Sequence, residues 1–230
     1  MADEPLFRYA PRWINDYKPA TAYRVALREL AAAIRELTAA HIDTIASEEE
    51  LDMLTQQTKA LTAAVRAAPS GPTRAGFGKL PASTTERAYL DTSPVMGMAN
   101  PIAPPLKMWV EDETIRASAT FGAAYEGPPG YLHGGYLAAM FDDVLGAAQT
   151  ATGNPGMTAS LTVKYRQPAP LEREVLFHGW LESVDGRKIR ARATAHVGEV
   201  LCAEAEVLFV SVDFVKMLED AEAGPRSSPG

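Results

Sequence analysis

A histidine, two glycines and two aspartates lie close together in the segment YLHGGYLAAMFDDVLG, residues 131–146. Gly134 and Gly135 follow His133 at the start of a predicted helix, although each glycine there costs up to about 1 kcal/mol relative to alanine. They therefore indicate that another group comes close to the backbone. The first N–H groups of a helix have no intrahelical acceptor and lie at the positive end of its dipole. Such N–H groups can stabilise a carbonyl oxygen that gains negative charge, as in an oxyanion hole.

The two acids of this segment, Asp142 and Asp143, lie outside the apolar face of the predicted helix, on opposite flanks. That face is formed by Leu137, Met140, Phe141, Val144, Leu145 and Ala148. The helical wheel does not distinguish the two acids. Asp142 comes nine residues after His133, so it lies about 13 Å along the helix axis and about half a turn round. It cannot act on a substrate held at its own helix start, whereas a second, antiparallel copy could bring the two together. A catalytic interpretation therefore requires a dimer with composite sites.

The helix lies within a series of predicted strands that must position it. The segment 106–121 predicts two strands with a turn near 111–113. Four further strands are predicted at 157–171, 174–184, 187–197 and 200–212, and two of their connections are the short hairpin turns 185–186 and 198–199. The order β-β-helix-β-β-β-β with such short links predicts an antiparallel sheet with one face covered by the helix, an α+β fold.

The N-terminal region has a different character. The apolar spacing over 21–67 predicts two helices with a break near 43–47, and one long kinked helix is the alternative. Ser47, followed by three glutamates, is a favourable N-cap for the second helix.

These patterns predict four regions in the chain. Residues 1–70 form an N-terminal arm and helical extension, and residues 71–92, rich in Pro, Gly and Ser, form a linker. Residues 93–213 form the sheet-and-helix domain, beginning with an ordered proline-rich loop over 93–106. Residues 214–230 form a C-terminal tail.

Composition excludes several classes of protein. The net charge of −7 argues against a nucleic-acid binder, and no apolar run approaches the length of about 18 residues that spans a membrane. The start of the chain lacks the pattern of a secretory signal. The single cysteine, Cys202, allows no internal disulfide and fits a reducing, cytoplasmic setting.

The motif HGGYLAAMFDDVLG followed by GMTASLTVKYRQPAPL resembles the hotdog-fold acyl-CoA thioesterases, particularly the branch with the human THEM and the phenylacetyl-CoA thioesterases. The resemblance covers roughly 93–212. It implies a hotdog fold, in which an antiparallel sheet wraps round a long central helix. It also implies hydrolysis of an acyl-CoA or acyl-carrier thioester, a role in fatty acid metabolism, no metal or cofactor, and a homodimer or dimer of dimers with composite active sites.

The resemblance also implies roles for individual residues. The N–H of Gly134 would polarise the thioester carbonyl and His133 would shape that pocket. Asp142 of the partner subunit would be the nucleophile or the base that activates water, and Thr158 would orient that water or the carboxylate. Asp143 has no family role and is the alternative acid. The residues predicted to bind the substrate are Gly135, Tyr136, Phe141 and Arg166.

One departure from the family pattern keeps a second function open. Some relatives carry an amide side chain several residues before the histidine, whereas this chain has Glu126 and Gly127 there. The alternative function is a non-catalytic hotdog protein that binds acyl thioesters or serves as an assembly partner. A hotdog hydratase needs a different Asp/His arrangement, which we do not find, so we consider it less well supported.

Two sets of polar residues have structural alternatives. Lys164, Arg166, Arg190 and Arg192 could contact coenzyme A phosphates, but an exposed sheet face has the same pattern. His178 and His196 lack the spacing of metal ligands and are interpreted as structural.

Overall fold

A computed structural model describes residues 21–69, 91–104, 106–153 and 156–212. The predicted arm over 1–20, nearly all of the predicted linker and the predicted C-terminal tail lie outside these residues, so the four-region division remains a prediction. No helix in the described ranges is both long enough and apolar enough to cross a membrane.

Two helices form the N-terminal extension, as predicted. Helix α1 spans Ala22–Ile42 and helix α2 spans Glu48–Ala67. Ser47 caps α2 through a capping box: its hydroxyl accepts from the Glu50 N–H, and the Glu50 carboxylate accepts from the Ser47 N–H.

In the described part of the chain, six strands form one antiparallel sheet. Their bounds are β1 Lys107–Glu111, β2 Thr114–Thr120, β3 Gly156–Tyr165, β4 Glu174–Asp185, β5 Lys188–Val197 and β6 Val200–Ser211. The order across the sheet is β1-β2-β4-β5-β6-β3, so within the described ranges β3 is an edge strand that pairs with β6 alone. The two short hairpins turn at Gly186 and Gly198, which both have positive φ.

The central helix α3 spans Gly134–Gln149, and the sheet wraps round it. All six residues of its predicted apolar face are buried. The sheet offers mostly small side chains to it, including the buried Ala191, Ala193 and Ala195 of β5. A Cβ on Gly179 would lie 2.7 Å from Val144 Cγ1, so the helix packs directly against the backbone of β4. This arrangement confirms the α+β hotdog fold.

Helix α1 docks on this domain through polar contacts and one buried residue, Ala31. The Arg28 guanidinium donates to the buried Asp91 carboxylate, with Nε at 2.9 Å. Arg35 donates to the carbonyls of Met98 and Asn100. The segment 91–104 is an ordered series of turns, and it also contributes Met96 to the core.

Candidate active site

A tight turn presents the start of α3. The Gly127 N–H donates to the Tyr131 carbonyl, and the His133 N–H donates to the Tyr125 carbonyl. A Cβ on Gly127 would lie 2.8 Å from His133 Cα. Gly127 is therefore a residue on which the backbone of His133 packs closely.

His133 is the N-cap of α3, since its Nδ1 accepts a 3.0 Å hydrogen bond from the Gly135 N–H. Nδ1 is then the unprotonated nitrogen of the imidazole. A Cβ on Gly135 would lie 3.1 Å from Nδ1 and Cε1 of this ring. The glycine lets the imidazole fold back over the first turn.

Gly134 provides space for a second ring. The Tyr165 hydroxyl donates to the Gly134 carbonyl at 2.8 Å, and a Cβ on Gly134 would lie 3.2 Å from the phenol. The two glycines thus make room for an imidazole and a phenol. The sequence predicted that some group comes close to the backbone at these glycines, and in the structure these groups are the side chains of His133 and Tyr165.

These contacts leave one donor available at the start of α3. The Gly135 N–H is already used by His133, and the Tyr136 N–H donates to the His133 carbonyl. Within the described ranges, no group accepts a hydrogen bond from the Gly134 N–H. Gly134, rather than Gly135, is therefore the N–H group placed to bind an external oxygen.

Asp142 pairs with Thr158. The Thr158 hydroxyl donates to Asp142 Oδ1 at 2.9 Å and joins α3 to the start of β3. The β3–β6 register shifts between Thr158 and Ser160, so a bulge follows the threonine. Bulges re-aim side chains, and Thr158 is directed towards α3.

Asp143 has a different environment from its neighbour. No hydrogen-bond partner lies near its buried Oδ2 in the described part of the chain. Burial, together with the nearby charge of Asp142, raises the pKa of Asp143 from 3.8 to about 7. The two acids therefore differ in environment: Asp142 accepts a hydrogen bond from a hydroxyl, whereas Asp143 is poorly solvated. The helical wheel did not distinguish them.

A cavity of about 330 Å³ lies between α1 and the start of α3. Tyr136 lines it and packs edge-on against Tyr125 at 4.9 Å and against the His133 ring at 6.3 Å. One aromatic ring therefore separates the cavity from the capping histidine. The α1 side of the cavity includes Arg35 and Ala39. Partial burial lowers the pKa of Arg35 and raises that of Tyr125.

Two residues predicted to bind substrate lie elsewhere. Phe141 is in the core, 0 % exposed and packed edge-on against Phe177 at 5.6 Å. Arg166 follows Tyr165 and points to the opposite face of the sheet, where it donates to Glu204 through Nε and Nη2. To contact the substrate, Phe141 would have to leave the core. Arg166 would have to share or break its ion pair with the Glu204 carboxylate.

Two other basic residues of the outer sheet face also pair with acids. Lys164 lies 3.3 Å from Glu206, and Arg192 lies 2.7 Å from Glu182. This face has the alternating charges of an exposed sheet surface.

Comparisons with known proteins agree with this architecture. A family model described as the thioesterase superfamily matches residues 129–195, which include the whole of α3. A crystal structure described as a thioesterase superfamily protein superposes with a TM-score of 0.72 and 29 % identity over 86 % of this chain and 95 % of that chain. Residues 129–195 thus match the thioesterase superfamily, and the hotdog fold of the chain is similar to that of a solved member of this superfamily. The superposition covers 86 % of this chain, which is more than residues 91–230 alone could supply. The similarity to this solved structure therefore extends into the N-terminal region.

Curated relatives from the superfamily match over a shorter part of the chain. Acyl-coenzyme A thioesterase THEM4 of Xenopus laevis is 38 % identical over 93 residues, which are 40 % of this chain and 42 % of that protein. Acyl-coenzyme A thioesterase THEM5 of Homo sapiens is 32 % identical over 75 residues, or 33 % and 30 % of the two chains. The match therefore spans less than half the length of these relatives.

Sequence reasoning missed two residues of the site. Tyr165 was assigned only to an alternating strand, although its hydroxyl contacts the carbonyl of Gly134, the residue with the available N–H. Gly127 was noted for the amide it lacks, whereas its small size lets His133 approach. The alternation along β3 could have identified Tyr165. It places Tyr165 on the same face of the strand as Leu161 and Val163, which is the face towards the helix.

Proposed function

We propose that this protein is a thioesterase that hydrolyses acyl-CoA or acyl-carrier thioesters. The observation that carries the proposal is the hydrogen bond between Thr158 and Asp142 on α3, the helix whose first residue, Gly134, has an available N–H. The match of residues 129–195 to the thioesterase superfamily, and the names of the curated relatives, support this activity.

These groups suit the chemistry of a thioester. The Gly134 N–H, at the positive end of α3, would bind the thioester oxygen as it becomes negative. The Asp142 carboxylate would take a proton from water as the water attacks the carbonyl carbon, or would itself attack as a nucleophile. The C–S bond then breaks and the thiolate leaves with little need for protonation. Thr158 would hold the carboxylate in position.

A single subunit cannot place Gly134 and Asp142 on the same substrate. They are eight residues apart on one helix, or about 12 Å along its axis. We therefore propose a homodimer in which Asp142 of one subunit serves the helix start of the other. The outer edge of β3 supports this assembly, because no described residue pairs with it and an unpaired strand edge is a template for pairing with another chain. Antiparallel β3–β3 pairing would continue the sheet and bring the two α3 helices side by side. A dimer of dimers is a further prediction.

We propose that the acyl group extends past Tyr136 into the cavity beside α1. The cavity begins one aromatic ring from His133, and α1 forms one wall of it. This gives the N-terminal helix a role in acyl selection. A cytoplasmic location and a place in fatty acid metabolism remain predictions from the sequence.

One observation favours the non-catalytic alternative. The region before His133 has Glu126 and Gly127 but no amide side chain such as some relatives carry, and Glu126 accepts a hydrogen bond from the Gly130 N–H. The chain would then bind an acyl thioester without cleaving it.

Thiol release from short, long and aromatic acyl-CoAs, measured for the wild type and for Asp142→Ala, separates the two functions. We expect turnover of at least one thioester and its loss in the variant. Tight acyl-CoA binding without turnover of any thioester would favour the binding protein. Turnover unchanged by the substitution would exclude Asp142 and direct attention to Asp143.

A further inference from the structure

Helix α2 is ordered by its cap yet buries none of its 20 residues against the rest of the described chain. Five of its larger apolar side chains are 36–53 % exposed, namely Leu51, Met53, Leu54, Leu61 and Val65. Most helical stability in proteins comes from the packing of an apolar face rather than from intrinsic propensity. The exposed face of α2 is therefore suited to a partner.

The spacing of that face identifies the type of partner. Its positions alternate in steps of three and four residues through Leu51, Leu54, Thr58, Leu61 and Val65, and the next position is the C-cap, Ala68. We call these six residues the α2 seam. This 3.5-residue period is that of the a and d positions of a coiled coil, whereas a helix that packs on a globular core has a wider apolar face. The seam fits another helix of the same kind.

The charges of α2 select its orientation. Glu48, Glu49, Glu50 and Asp52 lie at its start, while Lys59 and Arg66 lie in its second half. Two parallel copies would place eight acids together, with aligned dipoles. Two antiparallel copies place each acidic start beside the Arg66 end of the other, with opposed dipoles.

We propose that α2 pairs antiparallel with α2 of a second copy of this chain through the α2 seam. An antiparallel two-fold arrangement gives layers in which each a position meets a d position. Leu51 meets the partner's Ala68, Leu54 meets the partner's Val65, and Thr58 meets the partner's Leu61. This contact lies on the N-terminal extension and does not depend on the proposed catalytic activity.

Disulfide mapping of the full chain carrying Leu54→Cys and Val65→Cys tests this register. The two positions are about 16 Å apart along one helix, too far for a bond within a chain, and the native Cys202 is 0 % exposed. After mild oxidation we expect a covalent dimer in which position 54 is bonded to position 65 of the other copy. The off-seam control Met53→Cys/Ala67→Cys should stay monomeric on a non-reducing gel. Bonds of 54 to 54 and 65 to 65 would mean parallel pairing and would overturn the proposal. Failure of the Leu54→Cys/Val65→Cys chain to form any covalent dimer would also overturn the proposal. That result is expected if another segment of the same chain covers the α2 seam.

A buried charge tests whether the α2 seam itself drives pairing. In the Leu54→Cys/Val65→Cys chain, adding Leu61→Glu places a carboxylate in the apolar layer beside the partner's Thr58. Adding Ala60→Glu places the same charge on the same helix, at an exposed position outside the α2 seam. We expect Leu61→Glu to lower the yield of disulfide by at least about tenfold and Ala60→Glu to leave it unchanged. Equal yields in the two variants would overturn the proposal.

Discussion

The hydroxyl of Thr158 donates a 2.9 Å hydrogen bond to Asp142 Oδ1, and this bond links the edge strand β3 to the central helix α3. A hydrogen bond to a charged group contributes about 1.5–3 kcal/mol. If the bond positions the working carboxylate, Thr158→Val lowers kcat for thiol release by about 10- to 100-fold. Thr162→Val, on the same strand but paired opposite Glu206, is the matched control and should leave kcat unchanged. Equal rates in the two variants would mean that Thr158 does not act on Asp142.

The Gly134 N–H can be removed with little disturbance of the helix. Gly134 is the first helical residue, where proline is well tolerated, and His133 has φ −65° and ψ 128°, a conformation that suits the residue before a proline. Gly134→Pro deletes the N–H that would bind the thioester oxygen, so we expect kcat to fall by about 10²- to 10³-fold.

Gly134→Ala is the control for that substitution. Its Cβ meets the same Tyr165 ring at 3.2 Å, but the N–H remains. We expect a much smaller loss of kcat than for Gly134→Pro, with similar melting temperatures for the two variants. An equal loss of kcat in both would assign the effect to displacement of Tyr165 instead of the missing donor.

The raised pKa of Asp143 predicts a pH-dependent cost to stability. Because this pKa is about 7 in the folded protein and 3.8 without the shift, the folded state retains a proton that the unfolded state has lost between these values. Asp143 therefore reduces the free energy of unfolding as pH rises from about 4 to about 7. Asp143→Asn removes this cost.

Melting temperatures at pH 4 and pH 8 measure the effect. We expect the wild type and Asp143→Asn to be similar at pH 4, and the variant to melt at a higher temperature at pH 8. Asp185→Asn changes an exposed aspartate at the end of β4 and should show no such divergence. A constant difference between Asp143→Asn and the wild type at both pH values would contradict the assignment.

The cavity beside Tyr136 predicts control of acyl length by α1. Ala39 lines the cavity, whereas the next residue, Ala40, is exposed and does not. Ala39→Trp should fill much of the space, so we expect kcat/KM for long or aromatic acyl-CoAs to fall by at least about tenfold relative to a short acyl-CoA. Ala40→Trp should keep the wild-type ratio. A ratio unchanged by Ala39→Trp would mean that the acyl group lies elsewhere.

Local patterns in the sequence predicted most of the fold. The apolar spacing from Leu137 to Ala148 defined α3, and the turns at 185–186 and 198–199 defined two hairpins, because these signals arise within a few residues of each other. Ser47 and Glu50 similarly marked the start of α2.

The candidate site depends on contacts between distant residues, which local patterns do not contain. Tyr165 reaches Gly134 across 31 residues, and Arg166 reaches Glu204 across 38. Phe141 and Tyr136 are both aromatic residues of α3, yet one is in the core and the other lines the cavity. The two side chains lie about 140° apart round the helix axis, and only Phe141 belongs to the apolar face that the sheet covers.

Subunit mixing tests most directly the claim that each active site combines Gly134 of one subunit with Asp142 of the other. Asp142→Ala and Gly134→Pro should each be nearly inactive alone. After the two variants are unfolded together and refolded, half of the dimers are expected to be mixed, and each mixed dimer has one intact composite site. We predict recovery of roughly a quarter of the wild-type thiol release. Recovery to no more than the sum of the two variants, with mixed dimers verified by mass spectrometry, would contradict the composite site.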